Sequence, residues 1–568
     1  MWATSNDGMT RVWRGVLPEI EVKHKGRCVT SEPVGGGQEL VSFILLRGLT
    51  WVVLTPRGEF DTNNLEKIDG LHWISSNQPL RPLPVELFTR EYYRPKLLPR
   101  ILNGEDLPCV SVLASLNREQ PRVEVLGVQP EPRSANRVTV RIKLTSSVSE
   151  VQKDSQRRPL QSGGYDIRLY RDGQLVGQYP PSSSVDESRS PTDPSAERSR
   201  WRRQHYVLDA GEKVVPFEHI FLPNRKKGSV VFTAYAFNSD RVRSETSRPY
   251  RYKYLLTAIS HKPRAYIITM GVNANQSGWD LSLAVSSAED AQRLWIKQFS
   301  DQYKVVPVAL VSKMDETGVI LPNATASKPH LRLVLDILAG RKPTANPEMR
   351  KVVDPLGQLQ RATPDDIVVL YIASHGYAGF DDRFYIIPFD TGFDRGISEK
   401  LLMQCQREPQ SSDSCSASEA FLERSISSND LELWWQGVDA GDMIMVLDSC
   451  HSAAVSGQTF RPGPLGDGGF GQLAYDKKMR ILAATQVGST ARATNLEGLG
   501  HTVLVESLKM AQANFQISIS AWLSATERVL PQHVHRLYSR LGDDDLQFPE
   551  LLDFKEPVLL NFRKATHY

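Results

Sequence analysis

Two residues with reactive side chains follow apolar stretches of this sequence. An apolar stretch at 367–373 leads to His375, and another at 443–447 leads to Cys450. A thiol becomes a nucleophilic thiolate when a base accepts its proton, and an imidazole can accept that proton near neutral pH and later protonate a leaving amine. The pair therefore predicts nucleophilic catalysis, with Cys450 as the nucleophile and His375 as the general acid/base.

The neighbours of these two residues extend the hypothesis. Gly376 leaves the backbone beside His375 open, so its N–H and that of Cys450 are candidates for an oxyanion hole. His451 is a weaker partner for Cys450, because adjacent side chains of an extended segment point to opposite sides. The alternative interpretations are a buried apolar cysteine and a hydrogen-bonded histidine at a strand end. Because the cysteine and the histidine both lie at strand ends of one predicted sheet, catalysis is favoured over these alternatives.

The elements that must position these residues alternate between strands and helices from about residue 262. Strand patterns lie at 265–272, 303–311, 367–373, 384–389, 443–447 and 480–485, and helix patterns at 288–299 and 331–338. This alternation predicts an α/β region with a mostly parallel, doubly wound sheet. Ligands bind at the carboxyl ends of the strands in such sheets, which is where both reactive residues lie.

Residues 1–117 are predicted to form a β-rich N-terminal region, with short apolar runs broken by glycine and proline. The segment 5–13 resembles the closing hairpin of a WD40 blade. No second copy follows, so an ordinary hairpin and the remnant of a longer propeller-containing chain both remain open.

Residues 118–255 alternate apolar and polar side chains, most clearly at 137–144, and have a hairpin signal at Asp172-Gly173. Several short strands with turn signals predict an immunoglobulin-like β-sandwich. The Ser- and Pro-rich segment 180–203 has a basic end and is predicted to be an exposed flexible loop. The alternative for that basic end is a protease-sensitive or partner-docking segment.

The motifs of the region 262–566 resemble those of the caspase-like cysteine peptidases. They are His375-Gly376 after an apolar strand and the segments 384–390, 448–452, 481–486 and 500–502. The metacaspase, paracaspase and bacterial caspase-like branches fit better than animal caspases. The resemblance implies a caspase-like fold and a cysteine endopeptidase with a Cys–His dyad. The chain has Ser452-Ala453 where the family usually has Ser-Gly, and Ser374 where glycine is common, but neither change removes a group needed for proton transfer.

Asp448 indicates the class of substrate. It lies two residues before Cys450, so on an extended strand it points to the same side and would favour a cationic residue. In metacaspases and paracaspases the matching aspartate helps to form such a pocket, which implies cleavage after Arg or Lys. Those families place a second aspartate where the first helix begins; here Ser287 stands at that place. Asp290 comes one turn later and is a substrate-binding candidate, with a solvated acid near a helix N-terminus as the alternative.

The resemblance also makes the Gly- and Pro-rich segment 453–479 the region where family members are often cut during activation. Arg461, Lys477 and Lys478 are candidate processing sites for a pocket that accepts basic residues. Activation by an upstream protease, for example near 198–203, or by a regulatory partner protein is a further hypothesis.

Composition limits the remaining classes of function. The 568 residues include 68 Lys+Arg and 65 Asp+Glu, so the net charge of +3 gives no reason to expect nucleic-acid or membrane binding. The five cysteines are few, scattered and odd in number, which does not suit a disulfide-stapled secreted protein. Cys405 and Cys415 fall in a Ser-rich insert and are predicted to be spare thiols of a surface loop. With no signal-peptide pattern at the start, the expected location is cytoplasmic.

No cofactor is predicted. Some metacaspases bind calcium through clustered acids, and Asp381, Asp382 and Asp390 are candidate oxygen ligands, but no loop of fixed spacing supports them. The expected partners are protein substrates with a basic residue at the cleaved bond. The alternative function is a catalytically inactive caspase-fold scaffold or adaptor whose β domains bind other proteins.

Overall fold

The computed structural model shows several β-sheets and a set of helices packed on the largest of them. The residues that it describes are 2–4, 9–14, 38–46, 50–65, 68–75, 78–94, 97–102, 113–132, 134, 136–181, 194–256, 262–342, 347–378, 383–407, 413–451, 469–485, 500–514, 518–538, 547 and 549–555.

The N-terminal region is rich in β-structure, as predicted. Its elements are β1 (Trp2–Thr4), β2 (Met9–Arg14), β3 (Gln38–Leu45), β4 (Trp51–Leu54), β5 (Phe60–Thr62), β6 (His72–Ser75), β7 (Gln78–Pro84), α1 (Thr89–Tyr92) and α2 (Leu97–Leu102). Strands β1 to β5 form one antiparallel sheet in chain order, and β6 pairs with β7. The antiparallel pairing of β1 with β2 confirms the hairpin. Its origin in a propeller stays a prediction.

The middle region consists largely of antiparallel strands. Its elements are β8 (Arg122–Pro130), β9 (Arg137–Thr145), β10 (Val148–Lys153), β11 (Pro159–Gln161), β12 (Gly164–Arg171), β13 (Gln174–Tyr179), α3 (Pro194–His205), β14 (Tyr206–Leu208), β15 (Glu212–Phe221), β16 (Lys227–Phe237) and β17 (Tyr250–Leu255). One sheet has the order β15-β9-β8 and another the order β13-β12-β16-β17, with β14 beside β12.

The two sheets share an apolar core. Ile142 of one sheet and Phe232 of the other are fully buried in the same cluster. The alternation at 137–144 predicted this arrangement, because every second side chain of β9 points inward. The turn between β12 and β13 is also confirmed: Asp172 and Gly173 both have positive φ, 51° and 76°, as a two-residue hairpin turn of this type requires.

The basic end of the segment 180–203 is helical, which corrects the prediction of a flexible loop there. The helix α3 buries Trp201, which is 4% exposed and stacks on Tyr165 with ring centroids 5.8 Å apart. Arg202 forms an ion pair with Asp240. The composition of α3 is almost wholly polar, so the sequence lacks an amphipathic pattern, and the helix is held by this aromatic anchor together with ionic contacts.

The C-terminal region is an α/β unit. Its elements are β18 (Arg264–Val272), α4 (Ala284–Phe299), β19 (Lys304–Ser312), α5 (Lys328–Leu338), α6 (Pro347–Val353), β20 (Ile367–Ala378), β21 (Phe384–Ile386), α7 (Glu399–Arg407), α8 (Asp413–Arg424), β22 (Ile426–Ser427), α9 (Ser428–Gln436), β23 (Asp442–His451), α10 (Gly469–Asp476), β24 (Arg480–Ala483), α11 (Val503–Asn514), α12 (Ile519–Tyr538) and β25 (Glu550–Asp553).

Its eight-stranded sheet is mixed, with a parallel centre. The strand order is β19-β18-β20-β23-β24-β25, and β21 and β22 extend from β20. The pairs from β19 to β24 are parallel, whereas β25 and β21 pair antiparallel to their neighbours. Helices α4, α11 and α12 pack on one face, and α5 and α9 on the other. Coverage of both faces explains why the central strands are almost continuously apolar.

The Ser-rich insert between β21 and β22 contains two helices, α7 and α8, joined by a disulfide. Cys405 and Cys415 are bonded, with their Cα atoms 5.3 Å apart, which corrects the prediction that they are spare thiols in a loop. Phe421 of α8 packs in an apolar cluster with Tyr377 and Ile387. The insert therefore adjoins the end of β20.

The middle region packs closely on the α/β unit. Arg171 of β12 forms two hydrogen bonds with Asp439, at 2.9 and 3.0 Å, and both side chains are buried. Arg168 forms an ion pair with Asp476 at the end of α10. Tyr170 and Leu175 belong to the same apolar cluster as helices α5 and α9. These contacts join the two regions through a buried interface that combines ion pairs with apolar packing.

Within the described residues, no helix has the length and apolar character needed to cross a membrane.

Candidate functional site

The register of β20 and β23 brings the two predicted catalytic residues together. The strands are parallel neighbours, and His375 is the register partner of Cys450, as Gly376 is of His451. Adjacent strands lie about 4.8 Å apart, so the two backbones are neighbours at the carboxyl ends of the strands. The strands continue past the apolar stretches, to Ala378 and His451, and the two residues therefore lie within paired strands.

The His375 imidazole lies in a partly closed environment. Its ring meets the ring of Trp279 edge-on, with centroids 5.6 Å apart. Burial lowers the pKa of His375 below its ordinary value of 6.5, although a hydrogen bond to the backbone of Asp280 and the charge of that residue oppose the shift. The imidazole is therefore neutral at pH 7 and able to accept a proton.

Trp279 is itself fixed by the two-helix insert. Its indole N–H donates to the carbonyl of Ile397 at 3.0 Å, and its ring lies 5.2 Å from that of Phe421 on α8. Trp279 and Asp280 are not among the residues predicted from the sequence. They lie almost 100 residues before His375, and their spacing gave no signal.

Ser374 has a structural explanation at a position where the resembled family commonly has glycine. Its buried hydroxyl donates to the carbonyl of Ile387, and the N–H of Ile387 donates to the carbonyl of His375 at 3.0 Å. The serine thus ties β20 to the segment after β21 and supports the backbone that carries His375.

Asp448 lies in a buried polar cluster, and the whole residue is 5% exposed. The hydroxyl of Tyr371 donates to its Oδ2 at 2.5 Å, and the hydroxyl of Thr502 donates to the same oxygen. Burial raises the pKa of Asp448, and the two hydrogen bonds oppose that shift. Burial and the charge of Asp448 raise the pKa of Tyr371 well above its ordinary value, so this phenol remains a donor.

Ser287 is also part of this cluster. Its Oγ accepts a hydrogen bond from the backbone N–H of Thr502 at 2.9 Å. The family pattern expects a second carboxylate at this position on α4, and the fold does bring the position next to the Asp448 network. The chain has a hydroxyl there instead.

Asp290 lies one turn further along α4 and contacts a different set of groups. Lys509 Nζ and His501 Nδ1 are each 2.9 Å from its carboxylate, and Arg293 also forms an ion pair with it. Burial alone would raise the pKa of Asp290, but the hydrogen bonds and charges of Lys509 and Arg293 outweigh it and lower the pKa. The negative charge of Asp290 is thus compensated within the chain. Its role in substrate binding stays a prediction.

The candidate processing sites differ in how the structure holds them. Lys477, directly after α10, is 1% exposed, and its ammonium donates to the carbonyls of Leu175 and Val438, both at 2.9 Å. Cleavage after Lys477 would require this end of α10 to leave its contacts. Lys478 is partly exposed, and its ammonium reaches the carbonyl of Asp172 at 3.3 Å. Arg461 lies outside the described residues.

The calcium hypothesis receives no geometric support from the described residues. Asp381 and Asp382 lie outside them, and no group of three or more His, Cys, Asp or Glu side chains in the described part of the chain is arranged to hold a metal ion. Burial raises the pKa of Asp390 to about 6, with hydrogen bonds and the charges of Arg424 and Lys328 opposing the shift. The calcium question stays untested.

Comparison of the sequence with models of known protein families gave no match, and comparison with curated proteins also gave none.

Proposed function

We propose that this protein is a caspase-like cysteine endopeptidase that cleaves protein substrates after a basic residue. The observation that carries the proposal is the register pairing of His375 with Cys450 at the carboxyl edge of a parallel sheet. The family resemblance and the neutral state of the His375 imidazole support it. The finer fold assignments, a caspase-like sheet and an immunoglobulin-like sandwich, belong to the same proposal.

In the proposed reaction, His375 accepts the proton of the Cys450 thiol, and the thiolate attacks the carbonyl carbon of the scissile bond. The backbone N–H groups of Gly376 and Cys450 would stabilise the negative oxygen that forms. His375 then donates its proton to the leaving amine, and the acyl-enzyme remains. Water hydrolyses this thioester with His375 again as the base, which releases the new carboxyl terminus and restores the thiol.

Asp448 would select the residue before the cleaved bond. A buried carboxylate that is compensated only by neutral hydroxyls favours a cation, because burial strengthens the charge interaction and leaves little water to replace it. Among the described residues, Asp448 accepts hydrogen bonds only from the neutral hydroxyls of Tyr371 and Thr502, with the charge of His501 acting from further away, whereas the nearby Asp290 is already paired with Lys509.

Replacing Asp448 with asparagine tests this assignment. We expect kcat/KM for reporter peptides with a basic residue at the cleaved bond to fall about 100-fold, since a hydrogen bond to a charged group is worth about 1.5–3 kcal/mol. The preference for Lys or Arg over Gln should disappear. The matched control is Asp354→Asn, which alters another buried aspartate that accepts backbone N–H groups after α6. An unchanged basic preference in Asp448→Asn would contradict the assignment.

The pH dependence of cleavage tests the role of His375. Since burial lowers its pKa below 6.5, the neutral base persists in mildly acidic solution, and the acidic limb of kcat/KM should lie below pH 6.5. Trp279→Ala admits water to the imidazole, so we expect the limb to move to higher pH and activity at pH 6 to fall more than activity at pH 8. Trp279→Phe keeps an aromatic ring beside His375 and should shift the acidic limb less than Trp279→Ala does.

The same shift can be measured directly, by following the His375 ring signals by NMR against pH in the Cys450→Ala protein. A His375 pKa at or above 6.5 in that protein would contradict the account.

A further inference from the structure

The hydrogen bonds of Asp448 distinguish its two carboxylate oxygens. The hydroxyls of Tyr371 and Thr502 both donate to Oδ2. Of the hydrogen bonds to Asp448 within the described part of the chain, none goes to Oδ1. A carboxylate oxygen accepts about two hydrogen bonds in its plane. Oδ2 is therefore saturated by groups of the protein, and Oδ1 is the oxygen left for a substrate.

This distribution is held firmly. Thr502 is fixed at its backbone as well, since its N–H donates to Ser287 Oγ at 2.9 Å. The residue before it, His501, lies between the carboxylates of Asp290 and Glu506, at 2.9 and 2.8 Å. Tyr371 is fully buried within β20. The anchored backbone of Thr502 and the buried ring of Tyr371 thus keep both hydroxyl oxygens near Oδ2.

The two basic side chains make different demands on such a carboxylate. The guanidinium of arginine binds best in a planar fork, with one N–H on each carboxylate oxygen, and it carries five donors that need partners when buried. The ammonium of lysine is a compact charge with three donors, and it can bind a single oxygen without loss of geometry. Its three donors also leave fewer groups without a partner than the five donors of arginine.

The residue at the position of the second carboxylate increases the expected difference between lysine and arginine. At the place on α4 where the resembled families carry another aspartate, Ser287 offers a hydroxyl that already accepts a backbone hydrogen bond. Among the described side chains of this cluster, an arginine would therefore find one free carboxylate oxygen for its five donors, and each buried donor left without a partner weakens binding.

We propose that this pocket discriminates between the two basic residues and prefers lysine to arginine, with Thr502 and Tyr371 as the residues that set the preference by saturating Oδ2 of Asp448. The inference rests on the proposed function and refines its substrate class.

The test compares kcat/KM for peptide reporters that differ only in the residue before the cleaved bond: Lys, Arg or Gln. For the unaltered full-length chain, we expect lysine to exceed arginine about tenfold, the lower end of the effect of one hydrogen bond to a charged group. Cleavage of the Arg reporter as well as or better than the Lys reporter would overturn the inference and leave the proposed function standing. Absence of Cys450-dependent cleavage of every reporter would overturn both.

Two variants test whether the hydroxyls on Oδ2 of Asp448 cause the preference for lysine. Thr502→Val and Tyr371→Phe each remove one hydroxyl and free one position on Oδ2, so the ratio of Arg to Lys cleavage should rise at least about fivefold in each. Thr526→Val is the matched control, because it removes a buried hydroxyl that bonds to a carbonyl within α12, away from the pocket. An unchanged ratio in both pocket variants would overturn the inference even where lysine is preferred. The use of two variants keeps the test valid if one of them does not fold.

Discussion

Replacement of Cys450 with alanine is expected to abolish cleavage of peptides that carry a basic residue before the scissile bond. The proposed reaction passes through a thioester on this residue, and alanine offers no nucleophile. Cleavage of these reporters should fall below detection. Measurement of kcat/KM with Lys and Arg reporters in both proteins gives the answer, and equal activity would leave the inactive scaffold as the better hypothesis.

His375→Ala is the second half of this prediction. Loss of a general acid/base typically costs 10²–10⁴-fold in rate, and we expect a loss in this range. His451→Ala is the matched control, because this histidine adjoins Cys450 in sequence but is the register partner of Gly376. A large loss in His451→Ala together with a small loss in His375→Ala would reverse the assignment of the base.

Thiol labelling gives an independent measure of the nucleophile. Cys405 and Cys415 are joined in a disulfide, so three of the five cysteines remain as candidates for an alkylating reagent. We expect the fastest labelling at Cys450, because a nearby imidazole promotes the thiolate. Cys109→Ala should leave both the labelling at Cys450 and cleavage intact.

Replacement of Arg171 with alanine is expected to lower the free energy of unfolding by several kcal/mol. Its guanidinium forms a two-point pair with Asp439 and also donates to the carbonyl of Phe221 at 2.5 Å. Removing one partner of a buried pair leaves the other charge uncompensated and costs about 3–5 kcal/mol of the free energy of unfolding. Denaturant unfolding of the variant should show this loss.

Two further proteins separate the cost of the lost pair from other effects. In the double variant Arg171→Met/Asp439→Leu neither member of the pair is left buried without the other, so it should be more stable than Arg171→Ala. Arg158→Ala removes an exposed arginine that pairs with Asp154 and should change stability far less. A loss in Arg171→Ala no greater than in Arg158→Ala would contradict the account.

The Arg171 pair bears on the role of the middle region. Arg171 lies on β12, and Asp439 precedes β23, the strand that carries Cys450. Because the interface is buried and charged, separating the regions would expose both apolar surface and ionic groups. We therefore expect the antiparallel sheets to be a fixed support of the α/β unit, and any recruitment of partners to use their outer surfaces.

Several features of the fold follow from local patterns in the sequence. The alternation at 137–144 specifies a strand with one buried face, and Asp172-Gly173 specifies a tight hairpin turn. The apolar stretches that lead to His375 and Cys450 specify buried strands of a parallel sheet. Each of these signals is contained within about ten residues, since the periods of strands and helices and the backbone preferences of turns are local properties. Such patterns identified both predicted catalytic residues.

Other features depend on contacts between distant parts of the chain. The disulfide could not be inferred from five scattered cysteines, because the pairing depends on how α7 and α8 pack. The helix α3 has no amphipathic pattern and is fixed by the packing of Trp201 and the ion pair of Arg202 with Asp240. Arg171 and Asp439 are 268 residues apart, and nothing in their local sequence distinguishes them from surface residues.

The Asp448 cluster combines both kinds of information. The motif that ends in Cys450 was sufficient to select Asp448 and to predict its preference for a cation. The partners of its carboxylate come from β20 and from the start of α11, and the helix α4 supplies a serine beside them. Hydrogen-bond geometry between elements so far apart in sequence is created only when the sheet and its covering helices pack, and it is this geometry that places both hydroxyls on Oδ2 of Asp448.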